Sequence, residues 1–185
     1  DHVSPKTKAV LRAETALVDA YLTHIVQSYL PRVAREFGLD QNKRMRVMTS
    51  SGGLVASDLY RGKDSVLSGP AGGAVAIEAI AIAMTEPRCI GLDMGGTSTD
   101  VCRIEGKLQL EHETIKAGVR MLVPTLAIHT VAAGGGSVCW FDGVSLRVGP
   151  QSAGAEPGPA CYGRGGPLTI TDLNLLSDRI DTKTF

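Results

Sequence analysis

The chain is 185 residues long, enough for one domain with a sizeable core, and one composition regime runs through it, so a single domain over 1–185 is expected. Nineteen Lys and Arg balance nineteen Asp and Glu; the formal net charge is zero, so no field gathers nucleic acid or an anionic membrane. The four cysteines are widely spaced, no basic-then-apolar leader is visible, and the most apolar segment, 73–84, is too short to span a bilayer, which points to reduced thiols in a cytoplasmic protein with neither nucleic acid nor membrane as partner.

Ser4-Pro5 reads as a helix start, an N-cap followed by proline at the first helical position. Val10, Leu11, Leu17, Val18, Tyr21, Leu22, Ile25, Val26, Tyr29, Leu30, Val33 and Phe37 recur at three- and four-residue steps, so a long amphipathic helix with one buried face is expected. Pro31 cannot donate to the carbonyl of Gln27, which predicts a kink or a restart, and Gly38 ends the segment. Residues 44–49 alternate as a strand leading into Ser50-Ser51-Gly52-Gly53. A glycine-rich loop over 68–73 then opens an apolar helix over 74–84. Free N–H groups at that helix start make a second candidate anion site, and close packing of a buried helix is the plain alternative.

Cys89-Ile90-Gly91-Leu92 suits a buried strand, and Val101-Cys102-Arg103-Ile104 reads as the next one. Between them lies Asp93-Met94-Gly95-Gly96-Thr97-Ser98-Thr99-Asp100, the most informative stretch of the chain. Gly95 and Gly96 let the backbone turn sharply and press its N–H groups against an anion, and the Thr97 and Thr99 hydroxyls add donors. Asp93 and Asp100 would repel a phosphate unless a cation lay between them, so the pattern implies a divalent metal such as Mg²⁺ with a nucleotide rather than a bare anion. A hairpin whose Gly-Gly merely turns the chain is the plain alternative.

Glu105-Gly106-Lys107 predicts a hairpin turn between 101–104 and 108–115, and Asp142-Gly143 predicts another between 138–141 and 144–148. His129 precedes Gly134-Gly135-Gly136, where an imidazole can ligate a metal or move a proton, or simply fill an apolar strand. About half of residues 149–167 are Gly or Pro, too many for regular structure, and a loop that long inside a domain is usually functional. Glu156, Tyr162 and Arg164 are its candidates for a substrate pocket, since Arg pairs a carboxylate in a two-pronged way; a solvated loop is the alternative. Cys161 has no His or acid neighbour in sequence and reads as loop packing. Thr171-Asp172 caps a short closing helix. Strands interleaved with helices and two hairpins argue for a mixed α/β domain.

The stretch from Gly91 to Val101 resembles the second phosphate motif of the ATPase superfamily that holds actin, sugar kinases and heat-shock chaperones, and more narrowly the hydantoinase A/5-oxoprolinase family. Leu67-Ser68-Gly69-Pro70-Ala71-Gly72-Gly73, Ile128-His129-Thr130 with Gly134-Gly135-Gly136-Ser137, and 148–166 agree with that family, so the resemblance covers essentially the whole chain. Ala132 stands where family members more often have Gly, and Ser51 where Asn is common.

The resemblance implies one ribonuclease-H-like half of an actin-type ATPase fold, and an ATP-dependent enzyme that opens a cyclic amide such as a hydantoin or 5-oxoproline. It further implies ATP and Mg²⁺ as cofactors, a B-type subunit or domain as partner, and an oligomer. In that setting Asp93 and Asp100 are metal-facing and catalytic with His129. Gly95, Gly96, Thr97, Thr99, Gly134, Gly135 and Gly136 bind the nucleotide, and Glu156, Tyr162 and Arg164 bind substrate. The ATP-using subunit of an acetone- or acetophenone-type carboxylase, and a non-catalytic nucleotide-binding scaffold, are the alternatives. Family members carry an earlier Asp/Gly/Gly/Thr motif that nothing upstream of Ser4 supplies. The chain is therefore expected to be a central fragment holding half of a nucleotide site, and inactive alone.

Overall fold

The fold is that of a computed structural model, which describes residues 3–4, 7–39, 45–116, 118–181 and 183. Helix α1 (Ala9–Glu36) leads into strands β1 (Arg46–Met48) and β2 (Leu54–Ala56), a 3-10 turn over Gly62–Asp64, and helix α2 (Ser68–Ala83). Strands β3 (Arg88–Met94) and β4 (Thr99–Glu105) follow, then five short strands: β5 (Lys107–Leu108), β6 (Leu110–Glu111), β7 (Thr114–Lys116), β8 (Val119–Met121) and β9 (Thr125–Leu126). The chain closes with β10 (Ile128–Val131), β11 (Ser137–Phe141), β12 (Leu146–Ser152), a 3-10 turn over Ala160–Tyr162, and helix α3 (Ile170–Leu176). The mixed α/β class is therefore as the sequence predicts. Two compact units form, one of Asp1–Gly91 and Cys102–Ile128, the other of Leu92–Val101 and His129–Phe185.

In the first unit, Ala71 and Ala74 of α2 pack with Cys102, Leu126 and Ile128, flanked by Met48, Val75, Ile77 and Leu108. This packing explains a departure from expectation at 68–73, which is the first turns of α2 and not a loop. Pro70 sits where a helix needs no N–H from it. The small Ala71 and Ala74 side chains are driven into the core, and the Ser50 hydroxyl accepts the Leu67 N–H at 2.9 Å. That bond, with Ser68 N–H donating to the Ser65 carbonyl at 3.2 Å, commits amides that the second anion site would have needed.

Helix α1 departs further. It begins at Ala9 with Lys8 as its N-cap, and Pro5 lies outside the described residues. It runs through Pro31 without a restart and ends as predicted at Gly38, whose φ of +61° lets Leu39 N–H reach the Ala34 carbonyl at 2.9 Å and Gly38 N–H that of Arg35 at 3.0 Å. Only part of the apolar stripe is buried: Leu30 is 9% exposed and Leu11, Val18, Leu22 and Val26 are half-buried, whereas Leu17 and Tyr21 are each 72% exposed, and the inward side also holds Thr15 at 0% and Asp19 at 3%. Those polar side chains satisfy backbone donors. Asp19 Oδ1 accepts Lys63 N–H at 2.9 Å, Thr23 Oγ1 accepts Gly62 N–H at 2.8 Å, and Thr15 Oγ1 accepts Leu122 N–H at 2.9 Å. The buried side of α1 therefore combines part of the apolar stripe with polar side chains that pair backbone groups of other segments.

Both predicted hairpins form. Ile104 pairs with Leu108 and Glu105 with Lys107 around Gly106, but the strand expected over 108–115 is broken into β5, β6 and β7. Phe141 pairs with Leu146, so the second turn is Asp142–Ser145, tied by Asp142 Oδ1 accepting the Val144 and Ser145 amides at 2.8 and 2.7 Å. Helix α3 is capped two residues earlier than expected, by Thr169 in place of Thr171, with Asp172 completing the capping box. Among the described residues no helix is long and apolar enough to cross a membrane, and all four cysteines are free thiols.

Candidate functional site

The candidate site is built within the second unit. Strand β3 ends in Asp93-Met94, Gly95 N–H closes a turn onto the Ser98 carbonyl at 2.9 Å, and β4 starts at Thr99. Strand order β10-β4-β3 sets β4 between its neighbours. The turn is clamped from beneath by the segment after β10. Gly135 N–H donates to the Gly95 carbonyl at 2.9 Å, Gly136 N–H to that of Gly96 at 2.6 Å, and the buried Thr99 hydroxyl to that of Ala133 at 2.5 Å.

The clamp shows where glycine is required. A Cβ on Gly134 would stand 2.7 Å from Gly95 O, one on Gly136 2.8 Å from Gly96 O, and one on Gly135 2.7 Å from Thr171 Oγ1. A Cβ on Gly96 would meet nothing within 4 Å, and neither Gly95 nor Gly96 has a positive φ. The steric need argued for Gly95-Gly96 thus belongs to Gly134–Gly136, whose backbone packs against the turn. The amides of Gly134, Gly135 and Gly136 were expected to face a nucleotide; instead they are committed to Ser137 Oγ, Gly95 O and Gly96 O. Thr99, expected as a phosphate donor, spends its proton on the protein in the same way.

What the turn presents outward is different. Residues 92–97 are exposed, and among the described residues nothing accepts the amides of Gly96 and Thr97 or donates to the Asp93 carboxylate. Asp100 is half-buried on β4 and accepts one hydrogen bond, from Thr130 Oγ1 to its Oδ1 at 2.7 Å. Thr130 was missed in the sequence reading, because only strand pairing brings β10 beside β4. His129 is exposed, and alternation along β10 puts it on the face opposite Thr130, so the structure does not bring it to Asp100.

The Gly/Pro-rich loop is tightly organised. Asp172 is 5% exposed and accepts the Ala160 and Cys161 amides at 3.3 and 2.7 Å and the Thr169 amide and hydroxyl at 2.7 and 2.9 Å. Burial alone would raise its carboxyl, but the Cys161 thiol and amide and the Thr169 hydroxyl and amide outweigh that and hold it at about 2. Burial and the Asp172 carboxylate push the Cys161 thiol up, which removes it as a thiolate nucleophile and fits loop packing. Glu156, Tyr162 and Arg164 are exposed on this loop, with Gly158 packed beneath the Tyr162 ring. The Thr169-x-x-Asp172 spacing was the available signal for Asp172.

Among the described residues no group of three or more His, Cys, Asp or Glu could hold a metal by itself, so a cation here would need other oxygens; Asp93 on β3 and Asp100 on β4 bracket the turn with carboxylates, the donor type that a hard divalent cation takes. Mg²⁺ is bound that way, through one or two carboxylates with water and phosphate.

The family model described as Hydantoinase/oxoprolinase matches residues 12–185. The 5-oxoprolinase of Saccharomyces cerevisiae is 45% identical over 99% of the chain, which spans 14% of that protein's length. The caprolactamase alpha subunit of Pseudomonas jessenii is 36% identical over 94% of the chain and 26% of that subunit. The crystal structure of the ATP-dependent caprolactamase from the same organism aligns over 97% of the chain and 27% of its own, with a TM-score of 0.75 at 35% identity. A nucleotide-free acetone carboxylase structure aligns over 85% of the chain and 22% of its own, with a TM-score of 0.69 at 26% identity.

Proposed function

Given that the chain belongs to the hydantoinase/oxoprolinase family, we propose that it supplies one phosphate-binding turn of an ATP-dependent cyclic-amide hydrolase. The observation that carries this reading is the exposed turn on which, among the described residues, the Gly96 and Thr97 amides and the Asp93 carboxylate have no hydrogen-bond partner, a turn fixed by Gly134–Gly136. Fixed amides aimed at an anion need no rearrangement when charge arrives, which is how positioning and neutralisation carry phosphoryl transfer. The likeness to the ATP-dependent caprolactamase supports ATP as the nucleotide; one ribonuclease-H-like half of an actin-type ATPase is the fold that the motif resemblance implies.

In this reading the Gly96 and Thr97 amides donate to phosphate oxygens, with the Thr97 hydroxyl beside them. Asp93 and Asp100 would hold Mg²⁺, which when bound neutralises phosphate charge. Thr99 and Gly134–Gly136 keep the turn in shape from behind. Transfer of the terminal phosphoryl group to the lactam oxygen makes the ring carbon open to water. Arg164 pairs a substrate carboxylate, with Glu156 and Tyr162 beside it on the loop that Asp172 fastens. His129, on the opposite face of β10 from Thr130, is left without a step. The 14% of the yeast relative that the chain spans, and the alpha-subunit naming of the caprolactamase, support a further B-type domain or subunit that completes hydrolysis. The acetone carboxylase likeness favours one second reading, an ATP-using carboxylase subunit.

Nucleotide turnover by the intact protein, with 5-oxoproline, caprolactam, a hydantoin and acetone offered in turn, separates the two. Stimulation by a cyclic amide, abolished in Asp93→Ala with folding retained, is the expected result. Stimulation by acetone alone would favour the carboxylase, and undiminished turnover in Asp93→Ala would remove the turn from the site.

A further inference from the structure

We infer that Thr130 is a positioning residue for the phosphate turn: its hydroxyl, 2.7 Å from Oδ1 of Asp100, fixes that carboxylate so that Oδ2 is the oxygen presented to the metal–nucleotide. The inference rests on the proposed nucleotide site. A carboxylate on a single-bonded stem rotates freely unless something holds it, and a donor on one oxygen selects one orientation and leaves the other oxygen open. Thr130 is the only described residue that donates to Asp100. It reaches Asp100 across the β10–β4 pairing, and the rigid strand on which it stands sets the direction of the bond. Asp100 lies two residues after the last turn residue, so its backbone is held by β4 while its side chain has no other anchor.

A purely structural role fits poorly. Thr130 and its bond are exposed, and an exposed hydrogen bond between side chains contributes little to a fold in which water competes for both partners. Its neighbours His129 and Val131 point to the other face of the strand and cannot replace it. Thr carries the hydroxyl on a branched Cβ with few rotamers, so the donor itself is pre-set.

The test uses the intact protein and four forms: wild type, Thr130→Val, Thr130→Ser and Asp100→Ala. Binding of Mn²⁺ with ATP is read by the enhancement of water-proton relaxation over a protein-free Mn²⁺-ATP blank, with a thermal melt of each form. Thr130→Val keeps the shape and removes the donor. It is expected to weaken Mn²⁺ binding about tenfold, the scale of one hydrogen bond to a charged group, with an unchanged melt. Thr130→Ser is expected to stay within about twofold of wild type, because the hydroxyl is retained. Wild-type Mn²⁺ binding by Thr130→Val, where Asp100→Ala binds weakly, would overturn the role of Thr130 and leave the site standing. Equal weakening in Thr130→Val and Thr130→Ser would also overturn it, since the hydroxyl would then not be the feature that matters. Wild-type binding by Asp100→Ala would overturn the metal-facing role of Asp100 and this inference with it.

Discussion

A methyl group at Gly134 would stand 2.7 Å from the carbonyl oxygen of Gly95, whereas one at Gly96 would meet nothing within 4 Å. Two glycines that look alike in sequence therefore carry different burdens. Gly134→Ala is expected to destabilise the chain by about 1–3 kcal/mol, because backbone rather than a flexible side chain must give way. Gly96→Ala is expected to leave stability within about 0.5 kcal/mol of wild type, as its φ is ordinary and its Cβ position open. Urea unfolding of both variants checks this, and the reverse ordering would contradict it. The Gly-Gly pair was legible in sequence as a turn. Its clamp was not, because the contact joins residues about forty positions apart and only strand pairing brings them together.

Among the elements, α1 shows what periodicity can and cannot decide. The recurrence of apolar residues predicts the helix and Gly38 its end, and Leu30 of the stripe is buried, but the inward side also holds Thr15, Asp19 and Thr23, which meet backbone amides of other segments. Apolar spacing carries no information about those partners. Asp19→Ala leaves Lys63 N–H without its acceptor and is expected to cost about 1–3 kcal/mol, whereas Leu17→Ser on the exposed stripe is expected to cost less than about 0.5 kcal/mol. Chemical denaturation of the two variants measures the difference, and a larger loss in Leu17→Ser would mean that the stripe is the buried face.

The short helix α3 and the β11–β12 turn share a second device, an aspartate whose carboxylate gathers backbone donors. Asp172 is held at about 2 by the Cys161 and Thr169 groups after burial has raised it. Asp142 is held at about 2 by the Ser145 amide, Arg147 and the Val144 amide. Both start from an ordinary value of 3.8, so the folded carboxyls bind protons less readily than the unfolded ones. The stabilisation is full above that ordinary value and fades as pH falls through about 2. Thermal melts across roughly pH 5 to 2 are expected to show a decline in that window. In Asp172→Asn the decline is shallower, since the amide does not titrate; an identical slope would mean that Asp172 does not couple to folding.

At the scale of the whole molecule, a neutral chain that spans 14% of the yeast 5-oxoprolinase folds as two compact units, and the second carries the turn at 93–100, its clamp and the fastened loop. The mixed α/β class and the turn within residues 93–100 could be read from the sequence. The division of labour within the site could not: which amides face outward and which face the protein depends on hydrogen bonds across strands. The exposed stripe on α1, which includes Leu17, Tyr21 and Tyr29, is likewise set by tertiary contacts that periodicity does not record.

Titration calorimetry of Mg-ATP into the intact protein carrying Gly96→Val, set beside its thermal melt, tests most directly whether the turn at 93–100 binds phosphate. The open Cβ direction at Gly96 means that valine is accommodated by the fold but crowds the free Gly96 and Thr97 amides. Nucleotide affinity is expected to fall at least about tenfold, roughly 1.4 kcal/mol, while the melting temperature stays within about two degrees of wild type. Unchanged affinity for Mg-ATP would mean that Gly95-Gly96 only turns a hairpin, and that the phosphate site lies elsewhere.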